Sequence, residues 1–159
     1  MRQELAQLGG GAHALAIQIL GNPDDAADAV HDSLATALER QDTYDARKGP
    51  LKPWFLRMVR NRCIDLLRKR RPTDNRVDEI ADSGKSPESA LEDADRDRLL
   101  KLALESLDSD QRQIVVLRDY MDLTYAQIAQ VLDIPAGTVM SRLHRARVAL
   151  GKAYREYDE

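Results

Sequence analysis

The sequence predicts an all-α protein: two small helical domains joined by an acidic flexible linker, the C-terminal one a helix-turn-helix. Three observations predict it. Apolar residues recur at helical spacing along most of the chain, and no β-rich alternating run or internal repeat of fixed period appears. The stretch PTDNRVDEIADSGKSPESAL, residues 72–91, is polar and acidic, contains two prolines and lacks that periodicity. Near the end, a helix-capping sequence, a turn and a long basic segment follow one another in helix-turn-helix order. The expected domains are 1–71 and 93–159, with the linker at 72–92.

Element by element, Ala12 to Leu20 reads as a short apolar helix closed by Gly21; Gly9-Gly10-Gly11 before it predicts a late start and a short flexible N-terminus. Asn22-Pro23-Asp24-Asp25 supplies an N-cap, a proline at the first helical position and two acids against the positive helix end. In that second helix Ala26, Val30, Leu34, Ala37 and Leu38 form an apolar stripe, and Asp25, Asp28, Asp32 and Glu39 lie on another side. Residues 41–50 read as a loop. A third helix begins at about Lys52 or Pro53, with Phe55, Leu56, Val59, Cys63, Leu66 and Leu67 on one side and Arg57, Asn61 and Arg68 opposite, and Pro72 stops it. Beyond the linker, Asp93 to Leu107 fits a helix that turns Leu99, Leu100, Ala103 and Leu107 inward. Ser109-Asp110 precedes a further helix whose Ile114, Leu117 and Met121 share a face. Thr124 and Gln127 form a capping box for a helix to about Leu132, Asp133-Ile134-Pro135 turns, and the last helix runs from Ala136 to about Tyr154.

Length and composition narrow the function. A chain of 159 residues holds one domain or two small ones and excludes a complete (β/α)₈ barrel. The single cysteine, Cys63, excludes an intramolecular disulfide, and three scattered histidines give no zinc-ligand spacing. The glycine triplet is no phosphate-cradling loop, because no Gly-Lys-Ser/Thr follows it. No basic and apolar leader begins the chain, and Ala14 to Leu20 is far short of a spanning helix. The expectation is a cytoplasmic protein with no cofactor, no metal and no membrane insertion.

The formal charge of −3 looks unlike that of a nucleic-acid binder, but the charge is segregated. Residues 1–46 hold eight acids and two bases (net −6), and residues 47–71 hold ten bases and one acid (net +9). Residues 73–110 hold twelve acids and five bases (net −7), and residues 136–155 hold five bases and no acid (net +5). Screening confines each field to about 8–10 Å, so two basic blocks hold phosphates whatever the total. Nucleic acid is the leading candidate ligand.

The two blocks differ in kind. In TYAQIAQVLDIPAGTVMSRLHRARVAL, Ala129 permits close helix crossing, Ile134 plugs the turn, and Val139, Leu143, Ala146 and Leu150 form the inner face. Ser141, His144 and Arg145 then point outward, flanked by Met140, Arg142 and Arg147, offering donors to base edges and phosphates. The earlier block sets Trp54 beside Arg57, Asn61 and Arg68, after a loop holding Tyr44, Arg47 and Lys48. Rings interleaved with cations suit bases that have left a duplex. The alternative reading of Trp54 is a core residue packed beside the second helix.

These segments resemble, in order, the extracytoplasmic-function sigma factors, the small specificity subunits of bacterial RNA polymerase. DAADAVHDSLATAL is similar to the family's polymerase-binding helix, KPWFLRMVRNRCIDLLRKRR to its W-L-x-x-I-A-R-N segment, and LDIPAGTVMSRLHRAR to its L-G-x-P-x-G-T-V-x-S-R-L-x-R-A-R ending. The resemblance implies a region 2-like domain that binds core polymerase and melts the −10 element, and a region 4-like domain that reads the −35 element. It assigns Asp28 and Asp32 to contacts with the polymerase, whose largest and second-largest subunits are the expected partners. Tyr44, Lys48, Trp54, Arg57, Arg60 and Asn61 fall to the −10 element and its opening. Thr138, Met140, Ser141, Arg142, His144 and Arg145 fall to the −35 element. An anti-sigma factor is a further implied partner.

The chain departs from the family pattern at several positions. Met140 stands where a basic residue is common, Phe55 replaces leucine, and Ala27, His31 and Leu38 replace Glu, Gln and Trp on the docking helix. Two other readings compete with a promoter-specific initiation factor that does no covalent chemistry. An autonomous helix-turn-helix regulator would bind palindromic DNA without polymerase, and a small metal-dependent nuclease would need acids gathered with a histidine, which the solvent-facing stripes do not provide.

Overall fold

The computed structural model describes residues 1–70 and 91–158, so residues 72–90 of the segment read as a linker, Pro72 among them, lie outside the described residues, while α4 begins at Leu91, two residues before the expected Asp93. Every regular element among the described residues is helical: α1 (Arg2–Leu20), α2 (Pro23–Glu39), α3 (Leu51–Lys69), α4 (Leu91–Glu105), α5 (Ser109–Val115), α6 (Tyr125–Leu132) and α7 (Ala136–Asp158). Two short 3₁₀ turns, Gln41–Thr43 and Ala46–Lys48, bridge α2 and α3, and a π-helical turn, Val116–Tyr120, continues α5.

Local signals set most boundaries. Asn22 Oδ1 accepts the amides of Asp24 and Asp25 at 2.8 and 3.0 Å, satisfying two orphan donors at the start of α2. Gly21 ends α1 in the left-handed conformation, φ 76°, where a side chain would be strained. The α5 cap is Asp108, which forms a complete capping box with Gln111, so Ser109 and Asp110, expected to precede the helix, lie in its first turn. The start of α1 corrects the expectation of a late helix. It begins at Arg2 and runs through Gly9, Gly10 and Gly11, because Leu5 is buried in the core and burial outweighs the low helix propensity of glycine.

The helices α1, α2 and α3 pack on one another around Phe55, Leu56, Val59, Leu15 and Ala16, all fully buried. In the second half α4, α5 and α6 pack on α7, which contributes Val139, Leu143 and Ala146. Two inward expectations are overturned: Leu67 is 40% exposed near the end of α3, and Leu100 is 47% exposed on α4. Each lies on a helix whose apolar face is wider than the neighbour that covers it. The halves are also not held apart. α3 packs on α6 and α1 on α5, and one continuous core runs from Leu5 to Ala146.

Candidate nucleic-acid interface

The second cationic surface is built by a tight turn. Thr124 Oγ1 accepts the Gln127 amide at 3.1 Å while Gln127 Oε1 accepts the Thr124 amide at 3.0 Å. The helix α6 then closes at Asp133, φ 58°, and the amides of Asp133 and Ile134 both donate to the Ala129 carbonyl. Burial of Val139, Leu143 and Ala146 fixes the roll of α7. Met140 (62% exposed), Ser141, Arg142, His144 and Arg145 therefore all face solvent on one side. Thr138 sits half-buried at its edge, where its carbonyl accepts Ser141 Oγ at 3.1 Å. Arg147 is drawn off by Asp119, whose hydrogen bond raises the guanidinium pKa above its ordinary value.

The first surface is engaged rather than open. Arg57 donates to the Gln130 carbonyl at 3.2 Å and lies 3.7 Å from the Asp133 carboxylate. Arg60 Nε donates to Gln113 Oε1 at 2.6 Å, and burial pulls its pKa below the ordinary arginine value. Nearby, Lys52 Nζ donates to the Met121 carbonyl at 2.9 Å. Lys48 and Asn61 are exposed. Tyr44 donates its hydroxyl to the Gly49 carbonyl at 2.8 Å, bracing the loop, and its ring meets Trp54 at 5.2 Å with planes 50° apart. Trp54 is half-buried, so it packs on the core and still offers part of a ring.

Arg60, Arg142 and Arg145 meet across a cleft of about 320 Å³ that Asp108 and Asp110 also border. On α2, Asp28 and Asp32 are exposed, and Asp32 is paired with Arg62 at 3.0 Å. The residues that sequence reasoning missed are the partners of the α3 cations, Gln113, Gln130 and Asp133. Gln113 follows the polar stretch Ser109–Arg112, so its 3% exposure comes from the tertiary packing and not from a local pattern. Among the described residues, no three His, Cys, Asp or Glu are grouped to hold a metal ion, and no helix is long and apolar enough to cross a membrane.

A three-helix first half bearing cations and rings, followed by a helix-turn-helix, is the arrangement of a sigma-70-type initiation factor. Residues 6–73 match Sigma-70 region 2 and residues 97–150 match Sigma-70, region 4. ECF RNA polymerase sigma factor SigW of Bacillus subtilis is 28% identical over 157 residues, covering 91% of this chain and 83% of SigW. RNA polymerase sigma factor SigV of the same organism is 33% identical over 137 residues, covering 84% and 78%. The sigma factor RpoE of Bartonella quintana, solved in complex with the anti-sigma factor NepR, superposes with a TM-score of 0.78 at 27% identity, over 96% of this chain and 95% of that one. The chain belongs to the ECF RNA polymerase sigma factors. Both regions match in order, which favours the initiation factor over the autonomous helix-turn-helix regulator.

Proposed function

We propose that this chain joins core RNA polymerase through the acidic face of α2, reads the −35 element with α7 and opens the −10 element with α3 and its preceding loop. The domain limits 1–71 and 93–159 go with that division, as does the absence of covalent chemistry of its own. The observation that carries the reading is the outer face of α7. A capped, tightly turned helix-turn-helix presents an exposed imidazole and two exposed guanidiniums together, beside a hydroxyl bonded to the Thr138 carbonyl of its own helix. Such donors suit base edges and phosphates in the major groove, and a good bidentate base contact discriminates by about 1–3 kcal/mol.

Asp28 and Asp32 suit basic residues on a partner, and Tyr44, Lys48, Trp54 and Asn61 suit an unstacked strand once Arg57 and Arg60 are released to join them. An anti-sigma factor, the partner seen with the Bartonella relative, fits as a regulator. The test mixes purified protein with bacterial core RNA polymerase and genomic promoter fragments. Co-elution and run-off transcripts that require the protein are expected, and Arg145→Ala should weaken choice at the upstream element about 10- to 100-fold. No co-elution at low salt overturns the reading, and unchanged transcription from every promoter by Arg145→Ala removes α7 as the reader.

A further inference from the structure

We infer that Met140 reads the C5 methyl of a pyrimidine, that of a thymine in the upstream element, and so makes α7 prefer thymine at one base pair through apolar contact rather than hydrogen bonding. This rests on the reading of α7 as the −35 helix. The exposed face of that helix has two edges. Thr138, Arg142 and Arg145 follow one another at helical spacing along one edge, and Met140 and His144, one turn apart, form the other. Met140 is the apolar member of this group and is 62% exposed. It is the fifth residue of α7, in the N-terminal part that a recognition helix turns toward base edges. One turn earlier, a Cβ at Gly137 would meet nothing within 4 Å, so the backbone beside Met140 leaves the approach open. Val148 is also exposed, but it stands eight residues later, about 12 Å further along the helix axis.

The chemistry of the groove selects the base. Thymine alone of the four bases presents a methyl group there, whereas guanine, adenine and cytosine present ring nitrogens, carbonyl oxygens and amino groups. A thioether is a weak acceptor and no donor. Laid on the thymine methyl, it takes two apolar surfaces out of water together. Laid on the amino group of cytosine or adenine, it displaces water and returns no comparable hydrogen bond, so the wrong base is penalised as well. Its unbranched, flexible stem lets the sulfur and its methyl settle against the base. The guanidiniums on the opposite edge hold phosphates and purine edges and fix the register, but they do not sense a methyl. A lysine or arginine in place of Met140 would take guanine or a phosphate instead.

The full chain, bound to bacterial core RNA polymerase, selects fragments from a DNA pool randomised across the upstream element. Each thymine of the selected element is then replaced singly by deoxyuridine, which deletes the methyl and keeps the base pair. One such replacement should weaken binding by wild type about threefold to fivefold, the value of one buried methyl group. Met140→Ala should bind the thymine and uracil fragments equally at that position. Met140→Leu, apolar and of similar volume, should keep the discrimination, and Met140→Lys should lose it. Val148→Ala should leave the ratio unchanged. A second pair of fragments separates the two sources of the group: 5-methylcytosine at the same position should bind better than cytosine by a similar factor, in wild type and not in Met140→Ala.

A selected element without thymine overturns the inference, as does tolerance of uracil at every position. Discrimination that survives in Met140→Ala, or equal binding of cytosine and 5-methylcytosine by wild type, overturns it too. Unchanged transcription by Arg145→Ala would instead remove α7 as the reader. Where Arg145→Ala weakens promoter choice and the uracil ratios stay flat, the functional reading stands and the role of Met140 alone falls.

Discussion

The two cationic helices of this molecule spend their charge differently. On α7, Arg142 and Arg145 face solvent beside His144 and Ser141, whereas Arg147 is committed to Asp119. On α3 and at its C-cap, Arg57, Arg60, Arg62, Lys69 and Arg70 each meet an acceptor in the protein: Asp133, Gln113, Asp32, Asp65 and Asp25 respectively. Both helices have basic sequences, so net charge does not separate them. The difference comes from geometry. The helix α7 lies at the outside of its half with one face packed, whereas α3 lies between α2 and α6 and meets their polar residues on both flanks. A run of arginines therefore says where phosphates are welcome, and the neighbours decide whether the site is vacant or held in reserve.

That difference predicts different readouts for substitutions on the two helices. The largest effect belongs to the inner side of α3. Phe55 is fully buried and the largest such side chain among the described residues, so Phe55→Ala should cost about 3–5 kcal/mol in urea unfolding, from lost transfer energy and the cavity left behind. Arg145→Ala on the outer face of α7 should leave the same unfolding curve within about 0.5 kcal/mol of wild type while altering promoter choice. If Arg145→Ala were as destabilising as Phe55→Ala, the distinction between an engaged helix and a reading helix would be lost.

Much of this was legible in the sequence because it is local. The Asn22 cap, the Thr124–Gln127 box, the Gly21 stop and the inner face of α7 each depend on residues within a turn or two of one another. The outward cluster on α7 followed from the same periodicity. What escaped is what the tertiary packing decides. Gly9-Gly10-Gly11 reads as a breaker, yet the core around Leu5 and the Met121 side chain against Gly11 carry the helix through it. Leu67 and Leu100 obey the period but are left exposed among the described residues. Arg60 and Gln113 are separated by 53 positions and a polar linker, and nothing local pairs them. The π-helical turn after Val115, which brings Met121 to face α1, has no sequence signature at all.

A second, smaller effect tests how dry the inner side of α3 is. Burial pushes the Cys63 thiol from an ordinary 9.0 up to about 11. The unfolded chain then releases that proton first, so stability is fully present below pH 9 and falls as the pH rises towards 11. Near pH 10.5 the loss should be about 2 kcal/mol relative to Cys63→Ala, whose unfolding lacks this contribution. Parallel pH profiles for the two proteins would mean that water reaches the thiol and that α3 is less firmly packed than α7.

The smallest effect concerns a cation that α3 holds at its surface. Arg62 and Asp32 pair at 3.0 Å, but their side chains are 38% and 52% exposed, so solvent and salt screen the attraction. Asp32→Asn should therefore cost less than about 1 kcal/mol of stability, and that cost should shrink further at 0.5 M salt, roughly three times the physiological ionic strength of about 0.15 M. Co-elution with core polymerase should fall at the same time, because the carboxylate is free to change partners when a basic surface approaches. A stability loss above about 2 kcal/mol would make the pair a structural element of α3. Undiminished co-elution would detach Asp32 from docking and leave Asp28 to carry the contact.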